Sequence, residues 1–353
     1  MKPKVAIIGL RGIPSKYGGE NMRFSSKASV IIVTYNHRKY MRECLNSVLA
    51  NHPLETIVVD NGSTDGTVEL IEKEFPQVKL IKSPENLGYG GGNNLGVRHA
   101  KGEYVVILNP DTRVEKNWLE ELLKPLENED KLITTPKVLL YDGSKINAAG
   151  LIVHFTGLSF VRGLNRGKNS FNKPEFVNGF AGECFAMKKE DYLKVGGFDE
   201  NLFAYNEDGE LSWRFRSMGY RILYVPTSVV YHDYELKVPP WKIYHLEKGR
   251  YIILRKYLSW KELLLMLPSL LATEILTWGY SILNGVEGVR FKIKGLKDGI
   301  TVKVEKIECN RKKLLKSLDW KIPEGQLSYN VVDRVIKKIA NLVYWINYKV
   351  IVR

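Results

Sequence analysis

The chain has 353 residues, 44% of them hydrophobic, and a formal net charge of +14, which is enough for one large domain with a substantial extension. Its three cysteines, Cys44, Cys184 and Cys309, are widely spaced and odd in number; that excludes a disulfide framework and a cysteine zinc site and points to a reducing compartment. The charge is uneven: residues 1–236 carry 30 basic and 29 acidic side chains, whereas residues 237–353 carry 23 and 10. A basic segment beside a neutral domain points to an anionic surface, either nucleic acid or membrane lipid.

Residues 1–27 contain no long apolar core, so no secretory signal is expected there, and residues 4–10 have the pattern of a strand. From residue 28 onward strands and helices alternate. Residues 28–33 form an apolar run that ends in Thr34-Tyr35-Asn36, and residues 38–50 have helical spacing. The run Thr56-Ile57-Val58-Val59-Asp60 leads into Asn61-Gly62-Ser63-Thr64-Asp65-Gly66, where Asp65 is placed to cap a helix over 67–75. A short strand over 79–81 is followed by the glycine cluster 88–92 as a loop, then a helix over 93–100. Tyr104-Val105-Val106-Ile107-Leu108 runs into Asn109-Pro110-Asp111, with a helix over 118–126 beyond it. This order predicts an α/β domain with a mostly parallel central sheet flanked by helices. Shorter, mixed periods follow over 133–230. The glycine cluster lacks the third glycine of a dinucleotide fingerprint and follows the third strand, not the first.

The C-terminal part is basic and partly apolar. Residues 263–283 are largely apolar over about twenty residues, near the length that spans a bilayer, but they include Pro268 and Glu274 and are flanked by Arg255, Lys256, Lys261, Arg290, Lys292 and Lys294. A span, a helix lying at a membrane interface and a buried packing helix all fit, and the flanking cations favour the interfacial helix.

The chemistry concentrates at strand ends. Ligands of open α/β sheets bind beyond the carboxyl ends of the strands, where Asp60 and Asp111 both fall. Asp60 suits a nucleobase or ribose, and Asp111 suits a hard cation such as Mg²⁺ or Mn²⁺. The bland alternative is that both cap the turns that follow them. Downstream, Glu207-Asp208-Gly209-Glu210 crowds three carboxylates at the start of a helix. Crowding raises at least one pKa and suits a general base, although an acidic helix N-terminus needs no such role. His232, after an apolar run, offers an imidazole to a metal.

Taken together, residues 28–236 resemble family 2 glycosyltransferases of the GT-A fold, and within them the rhamnosyltransferase-like members. The resemblance rests on Val30-Ile31-Ile32-Val33-Thr34-Tyr35-Asn36, Val58-Val59-Asp60-Asn61-Gly62-Ser63-Thr64-Asp65, Asn86-Leu87-Gly88 with Gly91-Gly92-Asn93-Asn94, and Leu108-Asn109-Pro110-Asp111. It continues through Gly182-Glu183-Cys184-Phe185-Ala186-Met187, Val195-Gly196-Gly197-Phe198-Asp199, Glu207-Asp208 and His232. It implies an inverting transfer of a sugar, with rhamnose as the subgroup's suggestion, from a nucleotide-diphosphate donor to a hydroxyl of a glycan or lipid-linked acceptor. It places Thr34, Tyr35, Asn36, Asp60, Asn86, Gly88, Asn94 and Asn109 at the nucleotide sugar, Asp111 and His232 on a divalent metal, and Asp208 as the catalytic base. Gly182, Glu207 and Trp213 fall on the acceptor side. Asn109 stands where a first aspartate is usual, and Gly209-Glu210 stands where a bulkier residue and a second aspartate are typical. Gly9-Leu10-Arg11-Gly12 with Gly18-Gly19 resembles the opening loop of a different, two-Rossmann-domain class of glycosyltransferases, without room for the rest of that unit.

These readings give three regions: an N-terminal extension over 1–27, a transferase domain over 28–236, and a basic helical region over 237–353 expected at the cytoplasmic face of the cell membrane, peripheral or single-span. A nucleotidyltransferase is the competing enzyme, although it normally opens with a glycine-rich loop and a cation where Val33-Thr34-Tyr35-Asn36 stands. A non-catalytic sugar-binding protein is the other alternative. Nucleic acid is the weaker partner for the basic tail, whose aromatics are interleaved with long aliphatics. Oligomeric state is not legible.

Overall fold

The computed structural model describes residues 23–234, 238–323 and 331–353. The strand and glycine loop expected within 1–22, and the domain boundary expected at 236, lie outside the described residues.

The first half builds the parallel ladder that alternation predicts. Strands β1 (Ala28–Thr34), β2 (Glu55–Asp60), β3 (Lys79–Lys82) and β4 (Tyr104–Leu108) are joined through helices α1 (Arg38–Leu49), α2 (Thr67–Glu74) and α3 (Gly88–His99). The spatial order is β4-β1-β2-β3, all parallel, with Thr34 opposite Asp60 and Ile32 opposite Leu108. The carboxyl ends of β1, β2 and β4 are therefore neighbours. Strands β1, β2 and β4 are buried on both faces, as their β-branched runs require, whereas β3 at the edge is only half-buried. Val30, Ile32, Val58 and Val106 join Met41, Leu45 and Trp118 on one side, whereas Ile31, Val33, Ile57 and Ile107 join Val97 on the other.

Beyond β4 the sheet is mixed, which the parallel reading did not foresee. A short strand β5 (Thr112–Val114) precedes α4 (Trp118–Leu123); then come β6 (Leu132–Leu140), β7 (Ile146–Ala148), a hairpin of β8 (Leu151–Val153) and β9 (Ser159–Val161), β10 (Glu175–Val177) and β11 (Cys184–Lys188). Helices α5 (Lys189–Val195) and α6 (Glu207–Ser217) lead to β12 (Arg221–His232). The full order is β10-β12-β6-β11-β4-β1-β2-β3, with β11 antiparallel to both β4 and β6. The end of β12 pairs antiparallel with β5, setting His232 opposite Thr112.

The glycine cluster is not a loop. It forms the first turns of α3, which begins at Gly88, five residues earlier than its sequence suggests. A Cβ on Gly92 would lie 2.6 Å from a Val33 methyl, and one on Gly96 2.4 Å from an Ile31 methyl. These glycines let the helix lie close on β1; they are not aimed at a phosphate.

The C-terminal helices are α7 (Pro240–Tyr257), α8 (Trp260–Leu265), α9 (Leu267–Leu283), α10 (Gly285–Thr301), α11 (Arg311–Lys316) and α12 (Val331–Ile351). Pro240 opens α7 at a position where its missing N–H costs nothing. Helix α10 packs on α7 through Gly295 and Gly299, whose Cβ atoms would fall 2.6 and 2.8 Å from the Tyr244 and Lys248 carbonyl oxygens. No helix of the described residues is long and apolar enough to cross a membrane. Residues 263–283, which had the length of a span, are divided between α8 and α9 beside Pro268, and the single-span option fails with them. At about 1.5 Å per residue, the 17 residues of α9 fall short of a bilayer core of about 30 Å.

Glu274, out of place in that apolar stretch, is the centre of an ion cluster. Its carboxylate meets Arg250 of α7 and lies 3.2 Å from Lys292 Nζ of α10, while Glu247 lies 2.8 Å from Arg250 and 2.6 Å from Lys292. Burial opposes ionisation of Glu274, but Arg250, Tyr251 and Lys292 outweigh it and hold the carboxyl at about 2. Its contribution to stability is therefore complete above the ordinary carboxyl range and is lost as pH falls towards 2. Arg250→Met leaves two carboxylates without their main partner; urea unfolding at neutral pH is expected to show a loss of about 3–5 kcal/mol.

Candidate active site

The donor side is formed where β1 and β2 end. Asp60 is 2% exposed; its Oδ2 accepts the N–H groups of Gly62 (3.1 Å) and Ser63 (3.0 Å), while its buried Oδ1 has no partner among the described residues. One oxygen thus shapes the turn and the other is left without a partner. Thr34 is buried, its hydroxyl also without a partner, and Tyr35 beside it is 47% exposed. Asn36, at φ +59°, ties the two loops together: its Oδ1 accepts the Thr64 N–H at 2.8 Å and its N–H donates to Ser63 Oγ at 2.9 Å. Asp65 serves the starts of two helices, accepting the N–H of Thr67 and that of Arg38, each at 3.0 Å. Asn86 Oδ1 accepts the Gly88 N–H at 2.9 Å and fixes the turn into α3.

The second group lies between β4 and β12. Pairing of β5 with β12 brings Asp111 Oδ1 to 3.3 Å from His232 Nε2, and the Asp233 N–H donates to the Asp111 carbonyl at 3.1 Å. His232 Nδ1 is 2.9 Å from Asn147 Oδ1, which fixes the ring. Burial disfavours charge on both partners, yet each stabilises the other: the Asp111 carboxyl is held below its ordinary range and the His232 imidazole above its own. Asn109 Oδ1 and Asp111 Oδ1 are buried without a hydrogen-bond partner among the described residues. Oxygen donors with one imidazole nitrogen suit Mg²⁺ or Mn²⁺.

The third group is the start of α6. Asp208 Oδ2 accepts the Gly182 N–H at 3.1 Å, and a Cβ at Gly182 would stand 3.3 Å from that oxygen, so glycine leaves the carboxylate open. Burial pushes the Asp208 and Glu207 carboxyls up, and their mutual repulsion adds to it for Glu207. Glu210, one turn on, has the opposite fate. It is fully buried and bonded to Arg214, to Lys256 Nζ at 2.8 Å and to the Tyr257 hydroxyl at 2.7 Å. It anchors α7 to α6 and takes no part in the acidic cluster expected around it.

A cavity of about 490 Å³ joins the second and third groups, with Asn109, Gly182, Glu207, Asp208 and His232 in its wall; the donor-side residues Thr34, Tyr35 and Asp60 are not part of that wall. Two expected site residues lie elsewhere. All the hydrogen bonds of Asn94 go to Tyr192, Phe198 and Glu200, clamping the 198–200 segment to α3. Trp213 is fully buried beside Tyr257; it lies on the face of α6 that packs inward, so it offers nothing to an acceptor.

Three residues of the cavity wall were missed. Asn147 orients His232. Glu183 is a buried carboxyl, pushed up by burial, that feels His232, Asp208 and Asp111 together; it stands next to Gly182 in a motif already noticed. Lys242, in the first turn of α7, is 9% exposed with its ammonium 4.2 Å from the Tyr205 ring centre. Nothing around it in the sequence marks it.

Comparison with known proteins agrees with this geometry. Residues 29–196 match the family described as glycosyl transferase family 2. The N-acetylglucosaminyl-diphospho-decaprenol L-rhamnosyltransferase of Mycobacterium tuberculosis is 27% identical over 229 residues, which cover 58% of this chain and 75% of that protein. Among solved structures, GalNAc-T7 with UDP, GalNAc and Mn²⁺ aligns with a TM-score of 0.58 at 20% identity, over 78% of this chain and 56% of that one. TarS of S. aureus in complex with UDP aligns at 0.53 and 20% identity, over 92% and 90%. The fold is that of the GT-A glycosyltransferases, and residues 29–196 are similar to glycosyltransferase family 2.

Proposed function

We propose that the chain is an inverting glycosyltransferase that moves a hexose, with rhamnose favoured by the rhamnosyltransferase relative, from a nucleotide-diphosphate donor to a hydroxyl of a lipid-linked or growing glycan. The observation that carries the reading is Asp208: a half-buried carboxylate with its pKa raised, held by the Gly182 N–H in the same cavity wall as Asn109 and His232. A nucleotidyltransferase has no use for such a base on the side away from the nucleotide.

Thr34, Tyr35, Asn36 and Asp60 hold the nucleotide, Asp60 through its unpartnered oxygen. Asp111 and His232 hold a divalent cation beside the donor diphosphate, with Asn109 at its side. Among the described residues no three His, Cys, Asp or Glu side chains gather to hold a metal ion, and phosphate oxygens of the donor would complete the coordination of a cation held by Asp111 and His232. When bound, the cation neutralises charge that grows on the leaving diphosphate. Asp208 Oδ takes the proton of the acceptor hydroxyl as its oxygen forms the new bond to the anomeric carbon, while the bond from that carbon to the diphosphate oxygen breaks. Attack from the face opposite the leaving group inverts the anomeric centre. Burial of the Asp208 carboxyl favours its uptake of that proton.

The same reading places the chain on an anionic membrane surface. Trp260, Leu271, Ile275, Ile339, Leu342 and Ile346 expose apolar side chains on α8, α9 and α12, among exposed cations that include Lys261, Arg334, Lys338 and Lys349. That combination fits helices lying in the headgroup layer.

Asp208→Asn is expected to reduce transfer by about 10²–10⁴-fold with nucleotide binding unchanged; undiminished turnover in a radiolabelled-sugar assay sinks the assignment. In vesicle sedimentation the protein is expected to bind phosphatidylglycerol membranes and to be released by salt, with Ile275→Glu/Ile339→Glu weakening capture. Equal capture by neutral vesicles contradicts the surface assignment.

A further inference from the structure

The cavity does not end at the catalytic carboxylates. It continues between α7 and α9, where the apolar side chains of Ile243, Leu246 and Leu276 enter its wall among polar ones. On α7 it meets Lys242, Ile243, Leu246 and Glu247, and on α9 Leu276, Thr277, Tyr280 and Ser281. In both helices the spacing is i, i+1, i+4, i+5, one continuous face. A sugar chain in water gains nothing from such a wall.

At the junction stands Lys242. Its side chain is nine-tenths buried, and among the described residues its ammonium makes no hydrogen bond and no ion pair. It rests over the Tyr205 ring at 4.2 Å, with the Tyr234 ring centre 5.9 Å away. The titratable groups that face it are Asp208 and Glu207, whose attraction only partly offsets the burial that lowers its affinity for a proton. A buried cation with no bonded partner is costly unless an anion meets it when the site is in use. The carboxylates of α6 are near enough to be felt and not near enough to bond.

We propose, resting on the transferase reading above, that this part of the cavity is the acceptor subsite for a lipid-linked phosphosugar, with the Lys242 ammonium on the phosphate linker and Ile243, Leu246 and Leu276 against the first hydrocarbon units. The acceptor hydroxyl then lies at Asp208, the linker follows at the first turn of α7, and the chain passes along α9. The opposite side of α9 is apolar as well: Leu271 is 56% and Ile275 68% exposed. Leu276 on the cavity side and Leu271 and Ile275 on the outer side give a hydrocarbon apolar contacts on both faces of α9. Lys242 is a positioning residue in this scheme, since it touches the linker and not the reacting atoms.

The test is equilibrium binding of three probes to the full chain, with UDP and Mn²⁺ saturating so that the donor site is filled: farnesyl diphosphate, farnesol and inorganic diphosphate. Farnesyl diphosphate is expected to bind at least tenfold more tightly than either fragment. Lys242→Met should bring it to the level of farnesol, Lys242→Arg should retain it, and Leu246→Asp should weaken both farnesyl probes while sparing diphosphate. Should Lys242→Met unfold, the Lys242→Arg and Leu246→Asp arms still decide the matter. Wild-type affinity in Lys242→Met, equal affinity for inorganic diphosphate, or loss in Lys242→Arg overturns the proposal. Tight farnesyl diphosphate binding by a protein that transfers no sugar removes the transferase reading, and with it the acceptor role, and leaves only a prenyl-phosphate cavity.

Discussion

The short antiparallel pairing of β5 with the end of β12 is the contact on which the site depends. It joins segments about 120 residues apart and sets His232 opposite Thr112, so that the imidazole faces Asp111. Without it, Asp111 is one more aspartate in a turn. With it, the ends of β4 and β12 and the start of α6 border one cavity, so that groups from distant parts of the chain come together. The pairing also settles the electrostatics. Two buried ionisable groups that stabilise one another are tolerated where either alone is not.

Helix α6 shows how one turn of helix separates two fates. Glu207 and Asp208 face the cavity and are left without cationic partners close enough to bond, so burial works against their charge. Glu210 faces inward and meets Arg214 and Lys256, which turn it into a fastening for α7. The two uses are linked: Lys242, at the start of α7, is placed beside the acids at the start of α6 because Glu210 fixes one helix against the other. The ion cluster of Glu247, Arg250, Glu274 and Lys292 then ties α9 and α10 to the same helix. The basic character of the C-terminal region is therefore spent in two ways, part on internal fastening and part on an outer face.

Much of this was legible in the sequence, for physical reasons that differ from element to element. The strands ending at Thr34, Asp60 and Leu108 announce themselves because a strand buried on both faces needs an unbroken β-branched run. The start of α6 could be found because three carboxylates in four positions are unusual. The glycines of α3 were misread as a loop because close packing of a helix on a strand and an irregular turn select the same residue. Trp213 was misplaced because helical phase, not composition, decides which side of α6 faces inward. Glu274 looked anomalous because its partners lie 24 and 18 residues away along the chain. Lys242 was invisible for the same kind of reason: a lone lysine in a basic region gains its meaning only from what folds against it.

The central claim is that Asp111 and His232 hold the cation that serves the donor diphosphate. The most direct measurement is a crystal structure of the protein with Mn²⁺ and UDP or dTDP, collected at a wavelength where manganese scatters anomalously. The account predicts one anomalous peak within about 2.0–2.3 Å of an Asp111 carboxylate oxygen and His232 Nε2, with the diphosphate on the same ion and the base beside Asp60. A nucleotide bound at Asp60 with no peak at Asp111, or a peak on other ligands, contradicts it.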